Sequence, residues 1–218
     1  MTHDYSNLDG SILTCGFFLP PKQQHSAIKI SEYIAKIENL DYILNDTDKP
    51  PYIRLYEIVI PKKNISTVTE KINKITKNKV NITIDWNDEE ITQNLVVMWA
   101  KLNDDIRLFQ KSIALEIEPL REGFYKQKYE KFFEDSQDTD EKDSLIKWGW
   151  PWFKHYKPYM VLTQSQKPIN LNKIEFEWEF HTCQLKNFFF AIKTAPATLE
   201  QINIIPLKEI EIPNPSSI

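Results

Sequence analysis

A five-residue pattern that occurs twice contains the residues of this chain best suited to ligand chemistry. Residues 51–55 and 158–162 both read Pro-Tyr-x-x-Leu, and each copy begins a β-rich run. Alternate residues of a strand share one face of a sheet. The outward-facing positions of the two copies are therefore predicted to be Tyr52, Arg54, Tyr56, Tyr159, Val161 and Thr163.

Two tyrosines and one arginine in a shared cleft suit a phosphorylated aromatic ligand. Aromatic faces stack on nucleobases, and a guanidinium grips a phosphate in a forked geometry. Tyr52, Arg54 and Tyr159 are thus the first candidates for ligand contact. The structural alternatives stay open, because strand tyrosines often pack at the rim of a core and Arg54 has Glu57 near it for a surface ion pair.

Two further groups of residues have a functional and a structural interpretation. His155 precedes the second copy by a few residues and, with Thr163, is a candidate if the cleft performs catalysis; a solvent-facing loop position is the alternative for His155. Three tryptophans crowd around Gly149 and Pro151, namely Trp148, Trp150 and Trp152. They predict either a partner-binding patch or aromatic anchors that fasten a long loop to the body.

The usual motifs of metal and nucleotide-cofactor chemistry are missing from the sequence. Its four glycines are well separated, which excludes a phosphate-binding P-loop and a dinucleotide fingerprint. Neither HExxH, GxSxG nor an EF-hand loop occurs. The two cysteines, Cys15 and Cys183, form no CxxC pair and are expected to be reduced thiols. We therefore expect no cofactor and no metal site.

Charge and hydropathy exclude two further classes of partner. The net charge of −4 argues against coating duplex DNA, which requires many cationic contacts to phosphates. The sequence contains no run of about eighteen apolar residues, as a membrane-spanning helix requires, and the first residues do not have the pattern of a secretory signal. A cytoplasmic protein without a membrane partner is expected.

Hydrophobic spacing predicts three helices and eight strands in one domain over residues 1–218. The helices are predicted over residues 23–40, from a capping box at Thr67 and Glu70 onward, and over residues 102–117. Strands are predicted at residues 12–19, 52–60, 80–84, 95–99, 159–163, 174–180, 188–192 and 203–212. An irregular loop is expected over residues 121–157, and residues 213–218 are expected to fray. The fold class is α+β.

The order of these elements and the two Pro-Tyr-x-x-Leu copies resemble the 2H phosphoesterase superfamily, which includes 2′,5′ RNA ligase-like proteins and cyclic nucleotide phosphodiesterases. The resemblance implies two pseudo-symmetric lobes of antiparallel sheet, with helices on the outside, flanking a central cleft. In the family each lobe contributes a strand with the pattern Pro-His-x-Thr/Ser-Leu. Residues 51–55 and 158–162 stand where these two strands are expected.

All four functional positions implied by the resemblance are changed. The two histidines become Tyr52 and Tyr159, and their hydroxyl partners become Arg54 and Val161. The family's histidines act as general base and general acid, which requires pKa values near neutrality, whereas tyrosine has an ordinary pKa of about 10. The sequence predicts a phosphoesterase-like protein that binds a nucleotide, RNA end or other phosphorylated ligand without turnover. A divergent 2′,3′-cyclic or 2′,5′ phosphodiesterase and a protein-interaction module are the alternatives.

Overall fold

In the described residues of this computed structural model, one eight-stranded sheet packs with four helices of ten or more residues. The structure describes residues 10–38, 40, 42–92, 94–126, 129, 134–151, 153–165, 167–170, 174–195 and 198–208. The predicted frayed tail at residues 213–218 and Trp152 lie outside these ranges. None of the helices in the described part is long and apolar enough to cross a membrane.

Strands and helices follow one another in a mixed order. The strands are β1 (Gly10–Phe18), β2 (Tyr52–Pro61), β3 (Ile82–Thr92), β4 (Leu95–Ala100), β5 (Tyr159–Gln164), β6 (Thr182–Leu185), β7 (Asn187–Ala195) and β8 (Thr198–Pro206). The helices are α1 (Pro21–Glu38), α2 (Ile65–Thr76), α3 (Asp104–Ile117) and α4 (Thr139–Trp148). The sheet order is β6-β3-β4-β5-β2-β1-β7-β8, and each of these strand pairs is antiparallel. The predicted α+β class is confirmed.

The two strands that begin with the repeated pattern lie side by side at the centre of the sheet. β5 and β2 divide it into two groups of four strands, and the pairing between these two strands is a single register pair, Ile53 with Met160. The two predicted lobes are therefore the two halves of one curled sheet. This arrangement brings both copies of the pattern to the same place.

The main core lies on one face of the sheet under α1, α2 and α3. Phe17 of β1, Phe109 of α3 and Phe188 of β7 form an aromatic trio whose ring centroids are 5.1 to 5.6 Å apart. Such tilted and edge-to-face contacts are favoured by the ring quadrupoles. The Gln110 side chain of α3 also donates a hydrogen bond to the Leu55 carbonyl oxygen at 3.1 Å, which ties this helix to β2. The first motif strand thus has a rigid support.

A second, smaller apolar cluster lies on the opposite face. Phe18 stacks on Phe189 with centroids 4.2 Å apart, and Tyr52 meets Phe189 edge-on at 5.1 Å. Ala191 and Leu199 complete the cluster. Because β1, β2 and β7 are covered on both faces, their residues are buried almost without alternation.

The irregular loop predicted over residues 121–157 is wrong for its second half, where α4 forms. Asp138 is the N-cap: its carboxylate accepts hydrogen bonds from the backbone N–H groups of Asp140 and Glu141 at 2.8 and 3.2 Å. Gly149 ends the helix at a positive φ of 69°. A Cβ there would lie 2.7 Å from Cδ of Arg121, so glycine is required for space as well as for conformation.

Two local predictions are also wrong. α2 begins at Ile65 rather than at a Thr67 capping box, and the Asn64 side chain at its start donates to the Leu120 carbonyl oxygen instead of capping the helix. The segment 174–180 is not a sheet strand. Its aromatic side chains are part-buried on the body and its glutamates are exposed. The sequence alternates because one side of this extended segment is buried, although the segment does not pair with a strand of the sheet.

Candidate functional site

The central strand pair sets the four motif positions facing one another. Since Ile53 is opposite Met160 in antiparallel register, Arg54 lies opposite Tyr159 and Tyr52 lies opposite Val161. The side chains agree with this register. Arg54 Nη1 donates to the Tyr159 hydroxyl oxygen at 2.8 Å, and the guanidinium carbon lies 5.3 Å from the centroid of the Tyr159 ring.

Each motif strand contains a one-residue bulge at the leucine of its Pro-Tyr-x-x-Leu pattern. Cys15 is paired with Tyr56 and Gly16 with Arg54, so Leu55 is the extra residue of β2. Val96 is paired with Thr163 and Val97 with Val161, so Leu162 is the extra residue of β5. A bulge shifts the alternation by one residue. The positions that return to the cleft side are therefore Glu57 and Gln164.

The bulges also explain why two predicted outward residues point elsewhere. Tyr56 is completely buried in the main core, where its hydroxyl donates to the Trp148 carbonyl oxygen. Thr163 is completely buried as well, and its hydroxyl donates to the Tyr42 carbonyl oxygen at 3.2 Å. Neither side chain lines the cleft. The simple two-residue period assumed from the sequence fails after each leucine.

The cleft is narrow: the space open to the centre of a water-sized molecule is about 20 Å³. The side chains that surround it come from β2, β5 and the segment before β2. They are Tyr42, Leu44, Pro50, Tyr52, Arg54, Tyr159, Val161 and Gln164. Four of the predicted ligand-binding residues, Tyr52, Arg54, Tyr159 and Val161, are thus brought together here.

Buried polar atoms without a hydrogen-bond partner converge on this cleft. They are the hydroxyl oxygens of Tyr42 and Tyr52; Nε of Arg54 also lacks a hydrogen bond but lies 3.8 Å from Glu57 Oε2. The Arg54 guanidinium lies beside Tyr52 and favours its ionised form, but the pair does not meet hydrogen-bond geometry. Unpaired buried polar groups cost about 1–3 kcal/mol each, so they mark a place where a ligand can contribute the missing contacts.

The protonation states of the cleft follow from its burial. Desolvation raises the pKa of Tyr42 and of Tyr52 above the ordinary value for tyrosine. Burial opposes the charge of Arg54, yet the phenol groups of Tyr159 and Tyr52 hold the pKa of this guanidinium above its ordinary value. At neutral pH the cleft therefore offers one permanent cation and neutral hydroxyl donors.

Next to Arg54, on the same side of the sheet, lies a buried carboxylate that the sequence reasoning treated as a surface ion-pair partner. Glu57 is 3% exposed and accepts hydrogen bonds from Thr14 Oγ1 at 2.8 Å, from Lys193 Nζ at 3.0 Å and from Lys126 Nζ. Arg54 Nε lies 3.8 Å from Glu57 Oε2. Three cations thus surround one carboxylate, and the surface interpretation is wrong.

The sequence alone does not identify Tyr42 or Gln164 as site residues, and it places Glu57 only in a surface ion pair. One feature of the sequence points to Glu57 and Gln164. The repeat extends beyond the leucine: the two copies read Pro-Tyr-x-x-Leu-x-Glu and Pro-Tyr-x-x-Leu-x-Gln, which matches Glu57 with Gln164. Tyr42 lies in a segment without a regular pattern. It reaches the cleft because Ser31 of α1 accepts a hydrogen bond from the Leu44 backbone at 2.9 Å and holds that segment against the helix.

The remaining candidates lie away from the cleft. His155 is exposed and does not line it. Trp148 and Trp150 are 8% and 5% exposed and pack with Phe153 and Tyr156, so these two side chains anchor the segment to the body rather than face a partner. Within the described residues, no three His, Cys, Asp or Glu side chains are grouped as metal ligands would be.

Comparisons with known proteins identify the fold. The crystal structure of TT0787 of Thermus thermophilus superposes with a TM-score of 0.53 at 12% identity, covering 90% of this chain and 95% of that one. E. coli LigT complexed with phosphate covers 92% and 96%, with a TM-score of 0.45 at 9% identity, and a protein described as a phosphoesterase covers 91% and 96%, with a TM-score of 0.43 at 11% identity. No family model and no curated protein matches the chain. At this identity the likeness to TT0787 shows that the two chains share a fold.

Proposed function

We propose that the cleft binds a nucleotide, RNA end or other phosphorylated ligand at Arg54 and does not turn it over. The observation that carries the proposal is that the Arg54 guanidinium and the buried Tyr42 and Tyr52 hydroxyls, which have no hydrogen-bond partner, lie around one cleft between the two motif strands. A phosphate there receives charge-assisted hydrogen bonds from the guanidinium, and the two hydroxyls donate to its ester or sugar oxygens.

The guanidinium is oriented before any ligand arrives. Nη1 donates a hydrogen bond to the Tyr159 hydroxyl, and the guanidinium lies against the Tyr159 ring. Nε faces Glu57 Oε2 on the interior side at 3.8 Å. An arginine held in this way loses little side-chain freedom on binding, which favours affinity. The Arg54 side chain is 18% exposed, so it remains reachable from the mouth of the cleft.

The absence of turnover follows from the same groups. Phosphodiester chemistry at neutral pH needs a base and an acid whose pKa values lie near 7. The cleft tyrosines with raised pKa values stay protonated there, and a permanently charged arginine cannot accept a proton. No histidine is among the described residues that line the cleft. These side chains support binding and provide no proton acceptor for hydrolysis.

The test is a thermal-shift and calorimetric screen of mononucleotides, cyclic nucleotides and short RNA ends, with each hit incubated and checked by chromatography. A stabilising ligand that stays intact is the expected result, since a ligand at 100 times its Kd adds about 2.7 kcal/mol. Arg54→Met should weaken binding about 10- to 100-fold, because hydrogen bonds to charged groups contribute about 1.5–3 kcal/mol.

The chain contains a matched control for that variant. Arg107 on α3 is exposed and does not line the cleft, so Arg107→Met should bind like the parent protein. Equal binding by both arginine variants would contradict the proposal. Hydrolysis of a bound cyclic nucleotide would contradict the proposed absence of turnover and support the alternative function, a divergent phosphodiesterase.

A further inference from the structure

Two consecutive backbone carbonyl groups at the bulge of β2 accept hydrogen bonds from side chains. The Tyr156 hydroxyl donates to the Arg54 carbonyl oxygen at 2.7 Å, and the Gln110 carboxamide donates to the Leu55 carbonyl oxygen at 3.1 Å. Both donor residues are buried. A buried carbonyl group without a partner destabilises a fold, so each of these two side chains fixes the backbone where the extra residue is inserted.

The hydrogen bond from Tyr156 joins the two motif strands beyond their ladder. Within the described residues β2 and β5 share one register pair, Ile53 with Met160. Tyr156 precedes Tyr159 by three residues, and its bond to the Arg54 backbone adds a second connection next to that pair. The same stretch of chain therefore holds Arg54 at two points, at the backbone through Tyr156 and at the guanidinium through Tyr159.

The tryptophan-rich segment keeps the Tyr156 ring in place. The rings of Trp150 and Tyr156 are in edge-to-face contact, with centroids 5.9 Å apart. Trp150 is buried and also contacts the Tyr56 ring of β2 at 6.1 Å. Burial raises the pKa of Tyr156 well above its ordinary value, so its hydroxyl remains a donor at neutral pH. The segment is thus connected to the cleft, although Trp150 does not line it.

The position of the Arg54 backbone decides where its guanidinium lies. Nη1 donates to the Tyr159 hydroxyl at 2.8 Å, and Nε faces Glu57 Oε2 at 3.8 Å. Glu57 follows Arg54 by three residues and reaches the same side of the sheet because the bulge shifts the alternation by one residue. A movement of the backbone at Arg54 would change both contacts, and a guanidinium that is no longer oriented in advance binds an anion less tightly.

We infer that Tyr156 is a positioning residue for Arg54: its hydroxyl fixes the backbone at the bulge and thereby orients the guanidinium. Tyr156 does not line the cleft, so it acts only through Arg54. The inference rests on the proposed phosphate site where it concerns binding. The orientation of Arg54 itself is measurable without a ligand.

Removing the hydroxyl in Tyr156→Phe tests the assignment, with Tyr56→Phe as the matched control. The Tyr56 hydroxyl also donates to a backbone carbonyl, that of Trp148, and its ring also contacts Trp150. Urea denaturation measures the stability that each variant loses, and inorganic phosphate is titrated by calorimetry at a temperature where both variants are folded. Only Tyr156→Phe should weaken phosphate binding, by about three- to tenfold, as expected from the loss of one neutral hydrogen bond.

The Nε–H signal of Arg54 in proton–nitrogen NMR gives a second readout that needs no ligand. The chain contains three arginines, so this signal is identified by its loss in Arg54→Met. The Nε–H proton of Arg54 should exchange with water several-fold faster in Tyr156→Phe than in the parent protein. Its exchange in Tyr56→Phe should equal that of the parent.

Unchanged exchange of the Arg54 signal in Tyr156→Phe would overturn the positioning role. Equal losses of phosphate affinity in the two phenylalanine variants would overturn it as well, because a purely structural contribution predicts that result. If no protein binds phosphate while the Arg54 signal responds to Tyr156→Phe alone, the positioning role is supported and the proposed phosphate site is wrong.

Discussion

Replacing Glu57 with glutamine removes the negative charge around which one side of the cleft is organised. The carboxylate is 3% exposed and faces the cationic groups of Arg54, Lys126 and Lys193, whose side chains are 18%, 8% and 13% exposed. In Glu57→Gln an amide oxygen still accepts one hydrogen bond, but three cations lose their buried counter-charge. The variant should fold with substantially reduced stability.

The size of the effect follows from the burial. Removing one partner of a buried ion pair costs about 3–5 kcal/mol, because the remaining charge is left uncompensated in a poorly solvated place. For a chain of this length each kcal/mol lowers Tm by about 2–4 °C. The predicted decrease in Tm is therefore roughly 6–20 °C. The corresponding loss of about 3–5 kcal/mol is a large part of the 5–15 kcal/mol that stabilises a typical domain.

Urea denaturation measures the change in the free energy of unfolding directly. The control is the same substitution in an exposed pair: Glu116 and Lys71 are 2.7 Å apart but 50% and 38% exposed. Glu116→Gln should cost less than about 1 kcal/mol. A ratio of three or more between the two losses is expected from burial alone.

A double variant separates charge from packing. Lys193→Met removes one of the cations, so it should cost less in the Glu57→Gln background than in the parent protein. Additive losses would refute the claim that these two side chains are coupled. A Glu57→Gln loss no greater than that of Glu116→Gln would refute the buried network as a stabilising feature.

Three further predictions concern the core and the ionisable groups. Gly16→Ala should destabilise the fold by about 3 kcal/mol or more in urea denaturation, because its Cβ would lie 2.3 Å from the Ile53 carbonyl oxygen. Cys15 and Cys183 should react with a thiol reagent only after unfolding, since burial raises the pKa of both thiols, that of Cys183 to about 12. Stability should fall as pH rises above about 10, by up to roughly 1.4 kcal/mol per pH unit for each tyrosine that ionises in the unfolded chain while burial keeps it protonated in the native one. A flat dependence between pH 8 and 10.5 would contradict the raised pKa values of Tyr42, Tyr52, Tyr129 and Tyr156.

The spacing of apolar residues predicted the helices and strands whose buried side chains recur at the period of a regular helix or strand. The helix over residues 102–117 and the strand over 95–99 have clear apolar patterns, and both appear within two residues of the expected ends. The acidic residues at the start of α4 have no apolar periodicity, so the sequence predicts an irregular loop there. Asp138, Asp140 and Glu141 instead form the N-cap and first turn of a helix, where acidic groups complement the helix dipole.

The candidate site was predicted in part. The two Pro-Tyr-x-x-Leu copies predict a shared cleft, and the structure pairs their strands at Ile53 and Met160. The bulges at Leu55 and Leu162 depend on register with β1 and β4, which a single strand's sequence does not encode. For that reason the sequence predicts Glu57 only as a surface partner of Arg54 and does not identify Gln164.

Phosphorus NMR of a nucleoside 2′,3′-cyclic phosphate mixed with the protein tests the central claim most directly, because one sample reports both binding and hydrolysis. The account predicts that the cyclic phosphate resonance broadens with the parent protein and with Arg107→Met, sharpens again with Arg54→Met, and is joined by no monoester resonance. A growing monoester resonance, or broadening that survives Arg54→Met, would contradict a silent phosphate-binding cleft at Arg54.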